Sequence, residues 1–336
     1  MKKALIHIGS GKTGTSSIQS ALFNIPDHQK LPFSYPIIHG NGHQSLEVLF
    51  KDYTRISRGL KTQFEKNVKY EKFKEDFACS LNSYTKDALL LSSEFMFSFN
   101  LDEIKRLKKY LVDKGFDTFK VVAYLRNPSS YYMSFVQQKI KAAYNIPSPF
   151  KYKVKYATTI NNWMSVFGDN ICIREFDRAS MVGGDVLKDF SIVINDFFNG
   201  DLLLQGKTDN ESISSEGMVV LQEFRKFFFK NQEDRFAKES NLLLKKIQKI
   251  ELKYPGTKPR LNRTYDNLII KNSAEDIHYL NKFNIFNDIA LTLESRNDDL
   301  NNSDCFFSGK VIDLFDDFSE EHYKYILHRL IYDFIR

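Results

Sequence analysis

Four short apolar runs mark the first half of the chain, and each ends in a polar or glycine-rich break: 4–8, 87–94, 119–125 and 170–176. They are apolar at successive rather than alternate positions. That is the pattern of strands buried on both faces, as in a parallel sheet. Between them the apolar positions recur at three- and four-residue spacing, over 46–50, 101–111, 129–142, 163–167 and 181–198, the last interrupted by Gly183 and Gly184. The strongly charged stretch 51–81 predicts an exposed helical pair. Strand and helix in alternation predict an α/β fold, with a central parallel sheet flanked by helices. After residue 200 the strand pattern stops, and helical periodicity runs over 216–229, 235–253, 274–283 and 320–335. Ser273 and Ser319 stand as N-caps, each followed by acidic residues. This pattern predicts one domain over 1–336, an α/β core at 1–200 joined to a mostly helical C-terminal portion at 201–336.

The break after the first run carries the most chemistry. Gly9, Gly11 and Gly14 alternate with Lys12, Thr13, Thr15, Ser16 and Ser17, and then Ile18, Ala21 and Leu22 return at helical spacing. This predicts strand, tight loop and helix. Glycines let the backbone turn sharply and approach a ligand closely. The N–H groups of the loop and helix start favour an anion, and Lys12 adds a full charge. A nucleoside-triphosphate loop reads Gly-x-x-x-x-Gly-Lys-Ser/Thr. Gly11-Lys12-Thr13 supplies its end, but Ile6 stands where its first glycine belongs.

Composition narrows the reading without redirecting it. Of the 336 residues, 42% are hydrophobic and 27% charged, ordinary for a globular chain. A net charge of +6 suits an anionic ligand but is not the concentrated basic face of a nucleic-acid binder. Aromatics are plentiful, with 30 Phe and 17 Tyr, and allow a sugar-stacking surface as well as a core. Cys79, Cys172 and Cys305 have neither metal-ligand spacing nor a disulfide pattern, which points to a reducing compartment. No apolar run approaches the ~20 residues of a membrane span. The expectation is a soluble, cytoplasmic protein without a transmembrane segment.

The run Lys12 to Ser17, Lys-Thr-Gly-Thr-Ser-Ser, resembles the 5′-phosphosulfate loop of sulfotransferases that use 3′-phosphoadenosine-5′-phosphosulfate (PAPS), in their bacterial and glycan-modifying branches. A second match follows the third apolar run. Arg126-Asn127-Pro128 resembles the family's Arg-(Asn/Asp)-Pro, and Ser134 stands eight residues after Arg126, the spacing of the family's 3′-phosphate pair. The resemblance covers about 1–200 in order. It implies a P-loop-like phosphosulfate-binding fold with Gly11, Lys12, Thr13, Gly14, Thr15, Ser16, Ser17, Arg126 and Ser134 on the nucleotide. Ser130, one helical turn before Ser134, stands on the same face. It further implies PAPS as cosubstrate with no metal, Lys12 as the catalytic cation, and a glycan or glycolipid acceptor.

The base that takes the acceptor's proton has two candidates. Glu94 ends the second apolar run, beside Ser92 and Ser93, and glycan sulfotransferases often use a glutamate there; His43 stands before the apolar stretch 46–50, where related bacterial enzymes often carry a histidine. His28 and His39 share that irregular region, and His28 reads as an ordinary loop histidine. Arg174 ends the fourth run and suits either an ion pair or the ligand; loop 254–263, with Lys258, Arg260 and Arg263, suits either a cover for the cosubstrate or a solvated loop. The polar stretch 297–304 reads as a mobile loop. Rival readings are a kinase or NTPase using ATP and Mg²⁺, and a non-catalytic nucleotide-binding protein.

Overall fold

The computed structural model describes residues 1–37, 40–66, 70–82, 86–206, 212–232, 235–293 and 307–335. His39, Cys305 and the stretch 297–304 lie outside them. In chain order, β1 (Lys2–Gly9) leads to α1 (Thr15–Phe23), α2 (Glu47–Phe50), α3 (Arg58–Lys66) and α4 (Tyr70–Asn82). Then come β2 (Ala88–Ser92), α5 (Leu101–Asp113), β3 (Phe116–Leu125), α6 (Pro128–Lys139), α7 (Tyr156–Phe167), β4 (Ile171–Glu175) and α8 (Val186–Phe198). The remainder is helical: α9 (Ser215–Phe228), α10 (Lys238–Glu251), α11 (Arg263–Asn272), α12 (Ala274–Asn281), α13 (Asn287–Thr292) and α14 (Glu320–Ile335).

The chain forms two compact units. The first comprises Met1–Arg126, Lys155–Thr208 and Lys282–Ile285; the second comprises Asn127–Val154, Asp209–Asn281 and Phe286–Arg336. The two units are interleaved along the chain. The segment with α6 belongs with the C-terminal helices, because Tyr132, Met133, Val136 and Ile140 pack with Met218, Leu221, Ile247 and Ile269.

In the first unit the four strands form a parallel sheet in the order β2-β1-β3-β4. Ile6 pairs with Leu91 on one side and Val121 on the other, and all three are buried. The continuous apolar runs follow from burial on both faces. On one face Leu5, Leu90, Val122 and Tyr124 pack with Ile18 and Leu22 of α1 and Phe190 and Ile194 of α8. On the other, α5 and α7 contact each other and β3, and the Phe119 and Phe167 rings meet edge to face. A capping box between Asn100 and Glu103 starts α5. Because the strands are parallel, their carboxyl ends, at Gly9, Ser92, Leu125 and Glu175, share one edge of the sheet. From β1 the chain first steps outward to β2 and then returns to β3 on the other side. The edge beyond β1 and β3 is thus the topological switch point, where open α/β sheets bind ligands.

The second unit is helical, and no strand occurs among its described residues. Ser319 caps α14, its hydroxyl accepting the His322 N–H at 3.1 Å. Ser273 directly precedes α12, its carbonyl accepting the Ile277 N–H at 3.0 Å, while its hydroxyl accepts the Val154 N–H. Helix α11 begins at the last residue of the expected loop 254–263 and fills a stretch for which the sequence predicts no element; Asn262 caps it by accepting the Tyr265 N–H. No described helix is long and apolar enough to cross a membrane.

Candidate active site

Gly9 leaves β1 at φ +88°, and a Cβ there would stand 3.1 Å from the Glu94 Cα. The missing side chain lets the residues after β2 close against the end of β1, where the Ser93 N–H donates to the His7 carbonyl. Ser10 then holds the loop to β3, donating through both its N–H and its hydroxyl to the Tyr124 carbonyl at 2.8 and 3.1 Å. The loop's interior is organised by one acceptor. Thr13 and Thr15 both donate their hydroxyl hydrogens to the Ser10 carbonyl, at 2.6 and 3.2 Å, and both are buried. A hydroxyl has one proton to give. These two side chains therefore shape the loop, and what they offer an anion is their backbone N–H. Ser16 is exposed and Ser17 half-buried, with Gly11, Lys12 and Gly14 also half-buried.

Lys12 adopts φ +61°, a left-handed conformation uncommon for a residue with a Cβ. Arg126 supports it, the guanidinium Nη1 donating to the Lys12 carbonyl at 3.3 Å. Arg126 is itself held: its carbonyl accepts the Tyr156 hydroxyl at 2.9 Å, and its guanidinium lies over the Phe176 ring. Burial pulls its pKa down, but an arginine so placed stays charged.

Helix α1 begins without a cap. Gly14 is the N-cap residue at φ +74°, so no side chain closes the helix start, and no acidic residue lies in the first turn. The first intrahelical bond runs from the Ile18 N–H to the Gly14 carbonyl. The N–H groups of Thr15, Ser16 and Ser17 thus have no partner within the helix. An uncapped helix start beside a lysine, at the switch point of the sheet, can hold an anion.

Glu94 follows β2 and is half-buried. Burial pushes its carboxyl pKa up while the charge of Lys12 pulls it back, and the net shift is upward. The two sequence candidates for the base thus differ in setting. His43 is buried, with both ring nitrogens engaged: Nε2 with the Pro36 carbonyl at 2.6 Å and Nδ1 with the Ser92 N–H at 2.9 Å. That pattern assigns Nδ1 as acceptor and Nε2–H as donor. Burial, opposed by these bonds, pushes its pKa down to about 4. In this arrangement His43 is a neutral clamp fastening the Pro36 segment to the end of β2, with no nitrogen left to take a proton from a ligand.

Ser134 lies half-buried on α6, and Ser130 is exposed on the same helix. Both belong to the second unit, whereas Arg126 closes the first. Asn127 starts α6 by accepting the N–H groups of Ser129 and Ser130. Arg174 is the ion pair of its two readings. It meets the buried Asp189 with Nε and Nη2, and Tyr124 donates to the same carboxylate at 2.6 Å. Burial alone would raise the pKa of Asp189, but these bonds and the Val182 N–H hold it below the usual range. Loop 254–263 is anchored within the second unit: the Thr257 N–H donates to Glu216 and the Asn262 N–H to the Leu314 carbonyl.

Beneath the loop lies a polar network that the apolar run around His7 concealed. His7 is fully buried, its Nδ1 2.9 Å from the Ser92 hydroxyl, and Gln19 of α1 donates to the Ser92 carbonyl at 3.1 Å. The sequence signal was a histidine and a glutamine at otherwise apolar positions. No protein-family model, curated protein or solved structure matches the chain.

Proposed function

We propose that the protein is a sulfotransferase that moves a sulfuryl group from PAPS to a hydroxyl or amine of an acceptor, a carbohydrate or glycolipid. The observation that carries the reading is the uncapped start of α1 at Gly14, with Lys12 in the preceding turn and Arg126 bonded to the Lys12 carbonyl. The backbone N–H groups of the loop hold the 5′-phosphosulfate, and Arg126 holds the 3′-phosphate. The acceptor oxygen attacks sulfur in line with the bridging oxygen. The new O–S bond forms as the old S–O bond breaks, and the electron pair leaves with 3′-phosphoadenosine 5′-phosphate. Negative charge grows on that bridging oxygen, where the Lys12 ammonium stabilises it. Glu94 takes the acceptor's proton, since the ring nitrogens of His43 are occupied. Its raised pKa makes it a better proton acceptor than a solvated carboxylate. The cycle requires no metal. The aromatic content and the Lys12–Ser17 pattern support a sugar acceptor.

The test is titration of the purified chain with 3′-phosphoadenosine 5′-phosphate and, separately, with ATP and Mg²⁺, read as thermal shift. Stabilisation by the first alone is expected. Stabilisation by ATP and Mg²⁺ alone would replace this reading with phosphoryl transfer.

A further inference from the structure

The chain carries no carboxylate side chain between Asp117 and Asp169, although Asp and Glu make up 42 of its 336 residues. Seven lysines and arginines fall in that interval, and four of them, Lys139, Lys141, Lys151 and Lys153, lie in the 127–154 segment of the second unit. Tyrosines and phenylalanines are interleaved with them. A soluble surface ordinarily mixes charges of both signs, so this segment favours an anion, and the nucleotide loop makes no use of its lysines.

Within the segment, residues 147–154 are fastened as a strap across α6. The Tyr132 hydroxyl donates to the Pro147 carbonyl at 2.6 Å, Asn272 of α11 donates to the Phe150 carbonyl at 3.1 Å, and the Val154 N–H donates to the Ser273 hydroxyl. Burial alternates along the strap: Lys151 and Lys153 are exposed, Tyr152 is half-buried and Val154 is buried. The two lysines therefore leave on the solvent side, about 6.6 Å apart along an extended backbone. The Tyr152 ring rests on α6. It meets Tyr132 edge to face at 4.7 Å and lies nearly parallel to Phe135, at 29° and 6.4 Å. Phe135 is 36% exposed, and the Tyr152 hydroxyl makes no hydrogen bond to a described residue. Strap and helix together present two partly open rings, one tipped by a phenol, between two ammonium groups.

Neither Lys151 nor Lys153 is paired with a described residue. On α11 and α12, which adjoin the strap, Asp266 and Asp276 are already engaged, and this leaves the exposed Lys151, Lys153 and Lys271 against Glu275. The ligand such a surface recognises has apolar C–H faces to lie on the rings, hydroxyls to meet the phenol, and negative charges set apart from one another. A pyranose chain bearing carboxylates or sulfates has all three. A nucleic acid would call for a denser basic stripe and for arginine forks on its phosphates, and no arginine stands between Arg126 and Arg174. We propose that Phe135, Lys151, Tyr152 and Lys153 form a binding site for an acidic saccharide. Taking that saccharide as the acceptor of the transfer rests on the sulfotransferase reading; the binding itself does not.

The experiment is calorimetric titration of the full chain, without nucleotide, with hexasaccharides of galacturonate and of chondroitin sulfate, with neutral maltohexaose, and with an oligothymidylate of matched charge. Binding of an acidic hexasaccharide that weakens with added salt is expected, with maltohexaose weaker by about tenfold or more. Lys151→Ser combined with Lys153→Ser should bring the acidic saccharides down to the level of maltohexaose and abolish the salt dependence, with the melting temperature unchanged because both side chains are exposed. Phe135→Ala should weaken acidic and neutral saccharides alike, by about threefold. Failure of the native chain to bind either acidic hexasaccharide, or binding that neither variant moves, would overturn the proposal. So would tighter binding of the oligothymidylate than of both acidic saccharides, which would make a nucleic acid the occupant. Stabilisation by 3′-phosphoadenosine 5′-phosphate with no saccharide binding would count against this site alone. Saccharide binding without nucleotide binding would leave the site standing and count against the sulfotransferase reading.

Discussion

A lysine held at φ +61° supports no core: its side chain is half-buried at the mouth of the loop, and its carbonyl rather than its ammonium is what Arg126 grips. Lys12→Ala keeps a Cβ at the same backbone angles, so its stability should stay within ~0.5 kcal/mol of the native chain. Turnover should fall by ~10²–10³-fold or more, the scale of losing one group that stabilises developing charge. Circular dichroism with single-turnover sulfation checks both halves, and a folded variant with native rates would sink the role of Lys12. Glu94 makes a prediction of opposite sign for stability. Its carboxyl pKa is raised in the folded protein, so between its unfolded and folded values the native state binds more protons than the unfolded one, and stability falls as pH rises. Glu94→Gln removes that penalty. The variant should melt at or above the native temperature at neutral pH, match it near pH 4, and lose ~10²–10⁴-fold in rate. A variant that melts lower and turns over normally would mark Glu94 as a structural carboxylate.

At the scale of the element, the loop from β1 into α1 depends on Gly14. At φ +74° any L side chain is strained, and a Cβ would stand 2.9 Å from Val186 Cγ1 and 3.2 Å from the Phe176 ring. Gly14→Ala should cost on the order of 1–3 kcal/mol, read from urea unfolding. Adding Val186→Ala should return only part of it, because that change opens space without relieving φ; full recovery would show that crowding alone was at fault. The element itself was plain in the sequence. Successive apolar residues, then three glycines and a lysine, can hardly read otherwise than as strand, loop and helix. The division of labour within the loop was not. Thr13 and Thr15 look like ligand-holding hydroxyls, but where they donate is decided by the placement of the Ser10 carbonyl, which no spacing records. The same limit applies to His43, whose engagement depends on Pro36 and Ser92, seven residues before it and 49 after. Arg174 stayed open for the same reason until Asp189 appeared across from it.

On the scale of the whole molecule, β1, β2 and β3 were legible because buried parallel strands leave unbroken apolar runs, and β4, half-buried throughout, by the shorter run Ile171 to Ile173; the interleaving of the two units was not. The 127–154 excursion has ordinary composition, and only the contacts of Tyr132 and Val136 assign it. The division has a consequence in acid. His7 and His43 both lie in the first unit, and burial pushes their pKa values down from 6.5 to about 3 and about 4. As pH falls below 6.5, the unfolded chain takes up two protons that the folded unit refuses. The unfolded state therefore binds more protons, and stability is lost on the way down, by up to ~1.4 kcal/mol per pH unit for each histidine, while the raised pKa of Glu94 in the same unit works the other way and offsets part of the loss. In the second unit the depressed group is Glu216, whose pKa burial would raise but which the Ser319 and Thr257 N–H groups hold below its ordinary 4.5. That term begins only below the usual carboxylate range. The first unit should accordingly fail first, between pH 6.5 and 4.5. The single tryptophan, Trp163, is fully buried in that unit and reports on it selectively. Its fluorescence should complete the earlier acid transition while about half of the helical circular dichroism, carried by the second unit, remains. Coincident transitions would show that the two units unfold together rather than in turn, and NMR titrations placing both imidazoles near 6.5 would show that neither histidine is buried neutral and would remove the cause.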